Sequence, residues 1–243
     1  MASDKALSII IPWKNSSKQR LDNLRILLSA IEVQSYPADE IIIVEQNTST
    51  EGLEKYKHIK LKSEQFNKSW CINVGCKVAK NEYLIIIDAD SNFGHRYFNE
   101  IKTYFNKHYK VFICWDTLIA EKGKDNPNVR FLCPNDTRTI GGVWAVEKTF
   151  FFSMGGMNES FSGYGGEDNE MYERVCTTLG MSHVHCSHHT IVHSYHDWEK
   201  PVKNNSILFE VGREHSLIIN KKLKEIKVGK LEAPSPINIE ELL

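Results

Sequence analysis

No stretch of this 243-residue chain approaches the roughly 20 consecutive apolar residues that a transmembrane helix requires. Nor does Met1-Ala2-Ser3-Asp4-Lys5 open a signal sequence, because it leads straight into strand-like residues. A cytoplasmic protein is therefore expected, with any membrane association made through partners. Charge of one sign is also missing. Thirty Lys and Arg balance 31 Asp and Glu for a formal net charge of −1, which gives no electrostatic footprint for nucleic acid. None of the six cysteines (71, 76, 114, 133, 176 and 186) stands in a C-x-x-C pair, so zinc-ribbon and thioredoxin readings lose their spacing, and buried free thiols in a reducing compartment are expected. Seven prolines and 14 glycines are too few for a disordered chain, and no internal repeat or low-complexity segment interrupts the sequence.

What remains is the composition of an ordinary globule, 41% hydrophobic and 25% charged, long enough to bury a full core without staples. The pattern implies one α/β domain over residues 1–228 and a tail over 229–243 that is mobile or docked on a neighbour. Leu7 to Ile11 reads as a strand ended by Pro12, Leu21 to Val33 as a helix with one apolar face, and Glu40 to Glu45 as a second strand. Another helix runs from Ser69 to about Ala79, before a third strand at Tyr83–Ile87. Strand and helix in alternation predict a mostly parallel central sheet flanked by helices. Further on, strands are expected at Val111–Trp115 and Val143–Val146, a polar loop at Glu121–Asn128, and helices from Lys148 to Met154 and from Glu167 to Leu179.

The third strand matters most, because it ends in Asp88-Ala89-Asp90. Ionised carboxylates are too costly to bury unpaired, so the two must sit where the strand emerges, and ligands of open α/β sheets bind at that edge. Hard oxygen donors there suit Mg²⁺ or Mn²⁺, and such ions suit a diphosphate. A glycine-rich block, Gly163-Tyr164-Gly165-Gly166, leads into Glu167 and Asp168, placing two carboxylates at the rim of a pocket. Six of the ten histidines fall between His183 and His196, but without cysteines at zinc-finger distance the expected role is one imidazole completing an oxygen-rich site. Large aromatics such as Trp70, Trp115, Trp144 and Trp198 are read as core, and only Tyr164 as functional.

Five ordered blocks carry a family likeness: Ile11-Pro12-Trp13-Lys14-Asn15; Phe66-Asn67-Lys68 with Asn73-Val74-Gly75; Asp88-Ala89-Asp90; Gly141-Gly142-Val143 through Tyr164-Gly165-Gly166-Glu167-Asp168; and Ile191-Val192-His193-Ser194. Across about residues 7–215 the chain resembles GT-A glycosyltransferases, in particular the β-1,4-galactosyltransferase group and the galactosyl- and N-acetylgalactosaminyltransferase domains of chondroitin-type polymerases. The resemblance implies a Rossmann-like GT-A fold, a UDP-sugar donor and a carbohydrate or glycoconjugate acceptor. It places Pro12, Trp13, Lys14, Glu45 and Gly142 in the nucleotide pocket, Phe66 on the uracil and Lys68 near the diphosphate. Asp90 and His193 become ligands of Mn²⁺ or Mg²⁺, with Asp88 beside them at the metal, ribose or sugar. Thr190 stands where the galactosyltransferases have a metal-binding Met, Tyr164 where they have a Trp touching both sugars, and Asn169 where they have an Asp beside the acceptor. Metal preference and acceptor identity are therefore not carried over.

The chemistry follows from the groups. Breaking an anomeric C–O bond leaves a charged diphosphate for a cation to neutralise, and the incoming hydroxyl needs a base. Asp168 is assigned as that base, with Glu167 holding sugar hydroxyls. No carboxylate is suited to act as a covalent nucleophile, so inversion is expected. Two rivals share the fold: a sugar nucleotidyltransferase, which usually has a Gly-rich loop after the first strand where this chain has Pro12-Trp13-Lys14-Asn15-Ser16, and a silent carbohydrate- or nucleotide-binding module.

Overall fold

The computed structural model describes residues 5–123, 127–132, 141–197, 202–226 and 228–234. Strand β1 (Leu7–Trp13) is buried throughout and runs two residues past Ile11, through the expected stop at Pro12. The reason lies in its partners. Its fourth-strand neighbour leaves after Ile10, so beyond that point β1 is paired on one side only and a missing N–H costs little. Helix α1 (Lys18–Glu32) starts a turn earlier than its apolar stripe, because the Ser17 side chain caps it by accepting from Arg20 N; Leu24, Leu27, Leu28 and Ile31 face the core. Strands β2 (Glu40–Gln46) and β3 (Lys57–Leu61) follow, then α2 (Lys68–Val78), capped by Asn67 accepting from Trp70 N. β3 escaped the sequence reading because it is a half-exposed edge strand with two lysines and no apolar run.

Next come β4 (Tyr83–Ile87), β5 (Ser91–Asn92), α3 (Tyr97–Asn106), β6 (Val111–Ile113), β7 (Thr117–Ala120), β8 (Val129–Leu132), β9 (Val143–Glu147) and α4 (Lys148–Ser153). The chain continues through α5 (Glu167–Leu179), β10 (Thr190–His193), α6 (Lys203–Glu214) and α7 (Ser216–Ile226). The main sheet has the order β3-β2-β1-β4-β9-β6. β3, β2, β1 and β4 are parallel, whereas β9 runs antiparallel to both β4 and β6. A second sheet, β5-β10-β7-β8, is built from strands of two to four residues, too short to leave a period in the sequence. The expected loop at Glu121–Asn128 lies partly outside the described residues.

Trp70 and Trp115 are fully buried, their indole N–H groups donating to Lys230 O and Gly141 O, and Trp144 packs against Tyr172, as core residues should. Trp198 lies outside the described residues. Cys71, Cys76, Cys114 and Cys176 are buried free thiols, whereas Cys186 is disulfide-bonded, a departure from the expected thiols; Cys133 lies outside the described residues. Residue 229 is not where contact with the domain ends. Val228 is buried, Gly229 N donates to Glu159 Oε1 (2.7 Å), and Trp70 holds the Lys230 carbonyl, so this part of the expected tail is fastened to α2 and its neighbours. No helix among the described residues is long and apolar enough to cross a membrane.

Candidate active site

The end of β4 is tied to the turn before β9. Asp88 N donates to Gly142 O (2.8 Å), and Gly142 N returns a bond to Asp88 Oδ2 (3.1 Å). Gly142 adopts φ +96°, a left-handed conformation open to glycine, and an added Cβ would press on Ile191 Cδ1 at 3.1 Å. The small sheet completes the arrangement. β10 pairs antiparallel with β5 so that His193 lies opposite Ser91, and Ser194 N donates to Asp90 O (2.8 Å).

That register carries two imidazoles to Asp90. His193 Nε2 is 3.3 Å from Asp90 Oδ1, and His196 Nε2 is 3.1 Å from Asp90 Oδ2. The ligand atoms of all three residues lie within 4.8 Å of one another. His196 Nδ1 sits 2.8 Å from the Asp197 carbonyl, a contact that orients the ring with Nε2 toward Asp90. Asp90 Oδ1 is buried and, among the described residues, has no hydrogen-bond partner beyond its ion-pair contact with His193. Burial would raise the Asp90 carboxyl, but His193 and the hydrogen bond from His196 outweigh it and hold the group well below the usual range. Burial likewise opposes the charged form of His196, yet the bond to Asp90 wins and its pKa is raised. One carboxylate and two imidazoles facing a common point fit a divalent transition ion. His196 was passed over in the sequence because only His193 falls in the family-like block; its signal was the His193-x-x-His196 spacing just beyond a strand.

A second cluster gathers at the N-termini of α2 and α5. Lys68 Nζ, in the first residue of α2, lies 2.8 Å from Asp88 Oδ1, 2.8 Å from Asp168 Oδ2 and 3.6 Å from Glu167 Oε1. Asp88 thus pairs with Lys68 and is not one of the Asp90–His193–His196 group, although the Asp90 charge reaches it and adds to the rise of its pKa. Burial lowers an ammonium pKa, but Asp168, Asp88 and Glu167 outweigh it and push Lys68 well up. Burial also raises Asp88. It raises Glu167 to about 7, with Asp168 adding repulsion. Glu167 Oε2 is buried without a hydrogen-bond partner among the described residues. Gly166 caps α5 at φ +94°, and the acidic first turn of Glu167, Asp168 and Glu170 suits the positive end of the helix. α5 itself is locked by the fully buried Glu170–Arg174 pair, whose guanidinium also donates to the carbonyls of Met154 and Gly156.

Both clusters open into one cavity of about 640 Å³, of the size that takes a small ligand or cofactor. Pro12, Trp13 and Lys14 line it from the end of β1, with Phe66 and Lys68 from the start of α2. Asp88, Asp90, Gly142, Tyr164, Glu167, Asp168 and His193 line the remainder. Glu45 does not. Its carboxylate is fully buried outside the cavity, bound by Thr48, Thr50 and His58, and its pKa is lowered because those hydrogen bonds outweigh the burial that would raise it. Glu45 acts one step away: Thr50, which it anchors, accepts from Trp13 Nε1 (3.0 Å). Arg20, Phe131, Asn205 and Phe209 also reach the cavity, none of them foreseen from the sequence.

Residues 8–157, more than half of the chain, match the family model described as glycosyl transferase family 2. The chain belongs to that family. Residues 129–197 of this family 2 chain also match the model for the N-terminal domain of galactosyltransferase. Comparison with curated protein sequences finds no match. Among solved structures, S. aureus TarS 1-349 in complex with UDP-GlcNAc superposes with a TM-score of 0.61 at 15% identity, over 90% of this chain and 71% of that one. The catalytic domain of Drosophila β1,4-galactosyltransferase 7 in complex with xylobiose gives 0.54 at 17% identity, over 85% and 80%. A mutant of the Drosophila enzyme in complex with manganese, UDP-Gal and xylobiose gives 0.54 at 16%, over 84% and 79%. The family 2 chain thus has the GT-A fold expected of it: a central sheet flanked by helices in a single domain.

Proposed function

We propose that this family 2 glycosyltransferase is a metal-dependent inverting enzyme. It moves a hexose or N-acetylhexosamine, with galactose or N-acetylgalactosamine favoured, from a UDP-sugar to a sugar hydroxyl. The observation that carries the proposal is a single cavity holding both a group fit for a cation, Asp90 with His193 and His196, and an acidic pair, Glu167 and Asp168. A structural relative that contains manganese and UDP-Gal supports the choice of cation and donor. Pro12, Trp13, Lys14 and Phe66 form the wall for uracil and ribose, Tyr164 and Gly142 flank the sugar, and Lys68 attends the diphosphate. A divalent cation held by Asp90, His193 and His196 supplies charge neutralisation for the leaving diphosphate.

Asp168 takes the acceptor hydroxyl's proton as the new bond forms. Glu167, with one buried carboxylate oxygen free of any donor among the described residues, accepts from a sugar hydroxyl. Asp88 neutralises Lys68 and orders the β4–β9 turn. A single base and no assigned carboxylate nucleophile support inversion.

The test is UDP release across UDP-galactose, UDP-N-acetylgalactosamine, UDP-glucose and UDP-N-acetylglucosamine, with Mn²⁺ and a set of sugar acceptors. Acceptor-dependent release is expected, and Asp168→Asn should abolish it while UDP still binds. No release from any donor would leave a binding module, and full activity in the Asn variant would remove Asp168 as the base.

A further inference from the structure

Among the described residues, three basic side chains of Lys or Arg type line the cavity: Lys14, Arg20 and Lys68. Lys68 is held by Asp88, Asp168 and Glu167. Arg20 is in a different situation. It sits in the first turn of α1, set there by the Ser17 cap, and among the described residues it forms no ion pair with a carboxylate. Its Nη2 lies 3.3 Å from His196 Nδ1, and its charge is among those that hold the Asp90 carboxyl low. That nitrogen also faces the Asp197 carbonyl at 2.8 Å, and a single imidazole nitrogen can engage no more than a fraction of the guanidinium's five N–H donors. A half-buried, permanently charged fork therefore lines a ligand cavity beside the Asp90–His193–His196 group, with no carboxylate ion pair of its own among the described residues.

We infer that Arg20 binds the diphosphate of the donor nucleotide, on the side of the cavity held by His196. The inference rests on the reading of the site as one for a UDP-sugar. Charge supports it. Asp90 with a divalent cation carries one net positive charge, too little for a nucleoside diphosphate, and Arg20 adds the next. Planar guanidinium donors match phosphate oxygens in pairs, and charge-assisted bonds of this kind are the strong ones. Lys68 cannot fill this role alone, since it must also balance three carboxylates.

Equilibrium binding of UDP, UMP and uridine to wild type, Arg20→Gln and Arg20→Lys, each with Mn²⁺ and again with EDTA, tests this without any turnover. Arg20→Gln should weaken UDP by about tenfold or more, both with and without the metal, and leave uridine unchanged. Arg20→Lys should recover part of the loss. Equal UDP affinity in wild type and Arg20→Gln overturns the inference. So does an equal loss for UDP and uridine, which would mean that Arg20 only shapes the pocket; a melting curve on each variant identifies that case. If wild type itself binds no UDP, the donor reading fails and Arg20 goes with it, a result distinct from the other two.

Discussion

Lys68 and Asp168 meet at 2.8 Å although 100 residues separate them, and the same ammonium lies 2.8 Å from Asp88. One lysine at the start of α2 thereby joins the end of β4 to the start of α5. The proposed base is thus ion-paired before any substrate enters, and a diphosphate drawing on Lys68 would loosen that pairing.

Removing the lysine leaves three crowded carboxylates without a cation. Breaking a buried pair by deleting one partner costs about 3–5 kcal/mol. Lys68→Met should therefore melt several degrees lower in differential scanning calorimetry. An unchanged melting point would show that the three acids tolerate one another without it.

Glu167 gives a pH dependence whose sign is fixed. Its carboxyl is raised from 4.5 to about 7 in the folded protein by burial and by Asp168. The native state therefore holds a proton that the unfolded chain releases, and stability declines as pH rises from 4.5 to 7. Above 7 the full penalty applies, about 1.4 kcal/mol for each tenfold difference in proton affinity between the folded and unfolded chain. Glu167→Gln should be more stable than wild type at pH 8, with the gap closing toward pH 4.5. A gap that grows on acidification would contradict the raised carboxyl.

His196 should matter to metal binding as much as His193. Calorimetric titration with Mn²⁺ is expected to lose about tenfold or more affinity in either His→Ala variant, and removal of the ion with EDTA should weaken UDP binding in wild type. Wild-type affinity in His196→Ala would reduce the group to Asp90 and His193.

Gly141 tests the placement of Asp168. A Cβ there would lie 2.5 Å from Asp168 Oδ2, so Gly141→Ala must displace the carboxylate or the turn. Misplacement of a reacting group by about 1 Å can cost about 10²-fold in rate. Transfer should fall on that scale while UDP affinity stays near wild type. Undiminished turnover would place the base elsewhere.

Much of the fold is visible in the chain because it is written locally. The apolar runs of β1, β2 and β4, the stripe on α1, and the acidic start of α5 beyond its glycines each declare themselves within a dozen residues. Asp88, Asp90, Glu167 and Asp168 could be singled out for the same reason: each follows an element whose end is legible. Glu45, carried over with the resemblance, could not be placed from the chain alone, since a carboxylate at a strand terminus looks alike whether it faces a ligand or, as here, is bound by its own loop.

By itself, then, the amino-acid order determined the alternation of strands and helices and the carboxylates at their ends, through periodicity and capping. Only the tertiary structure decided that β9 turns antiparallel, that β10 pairs with β5, and that Asp90, His193 and His196 consequently share a point with Arg20 beside it. Those outcomes depend on register between strands of two to five residues brought together from across the chain. No local window holds such information, because the pairing energy exists only once both partners are in place.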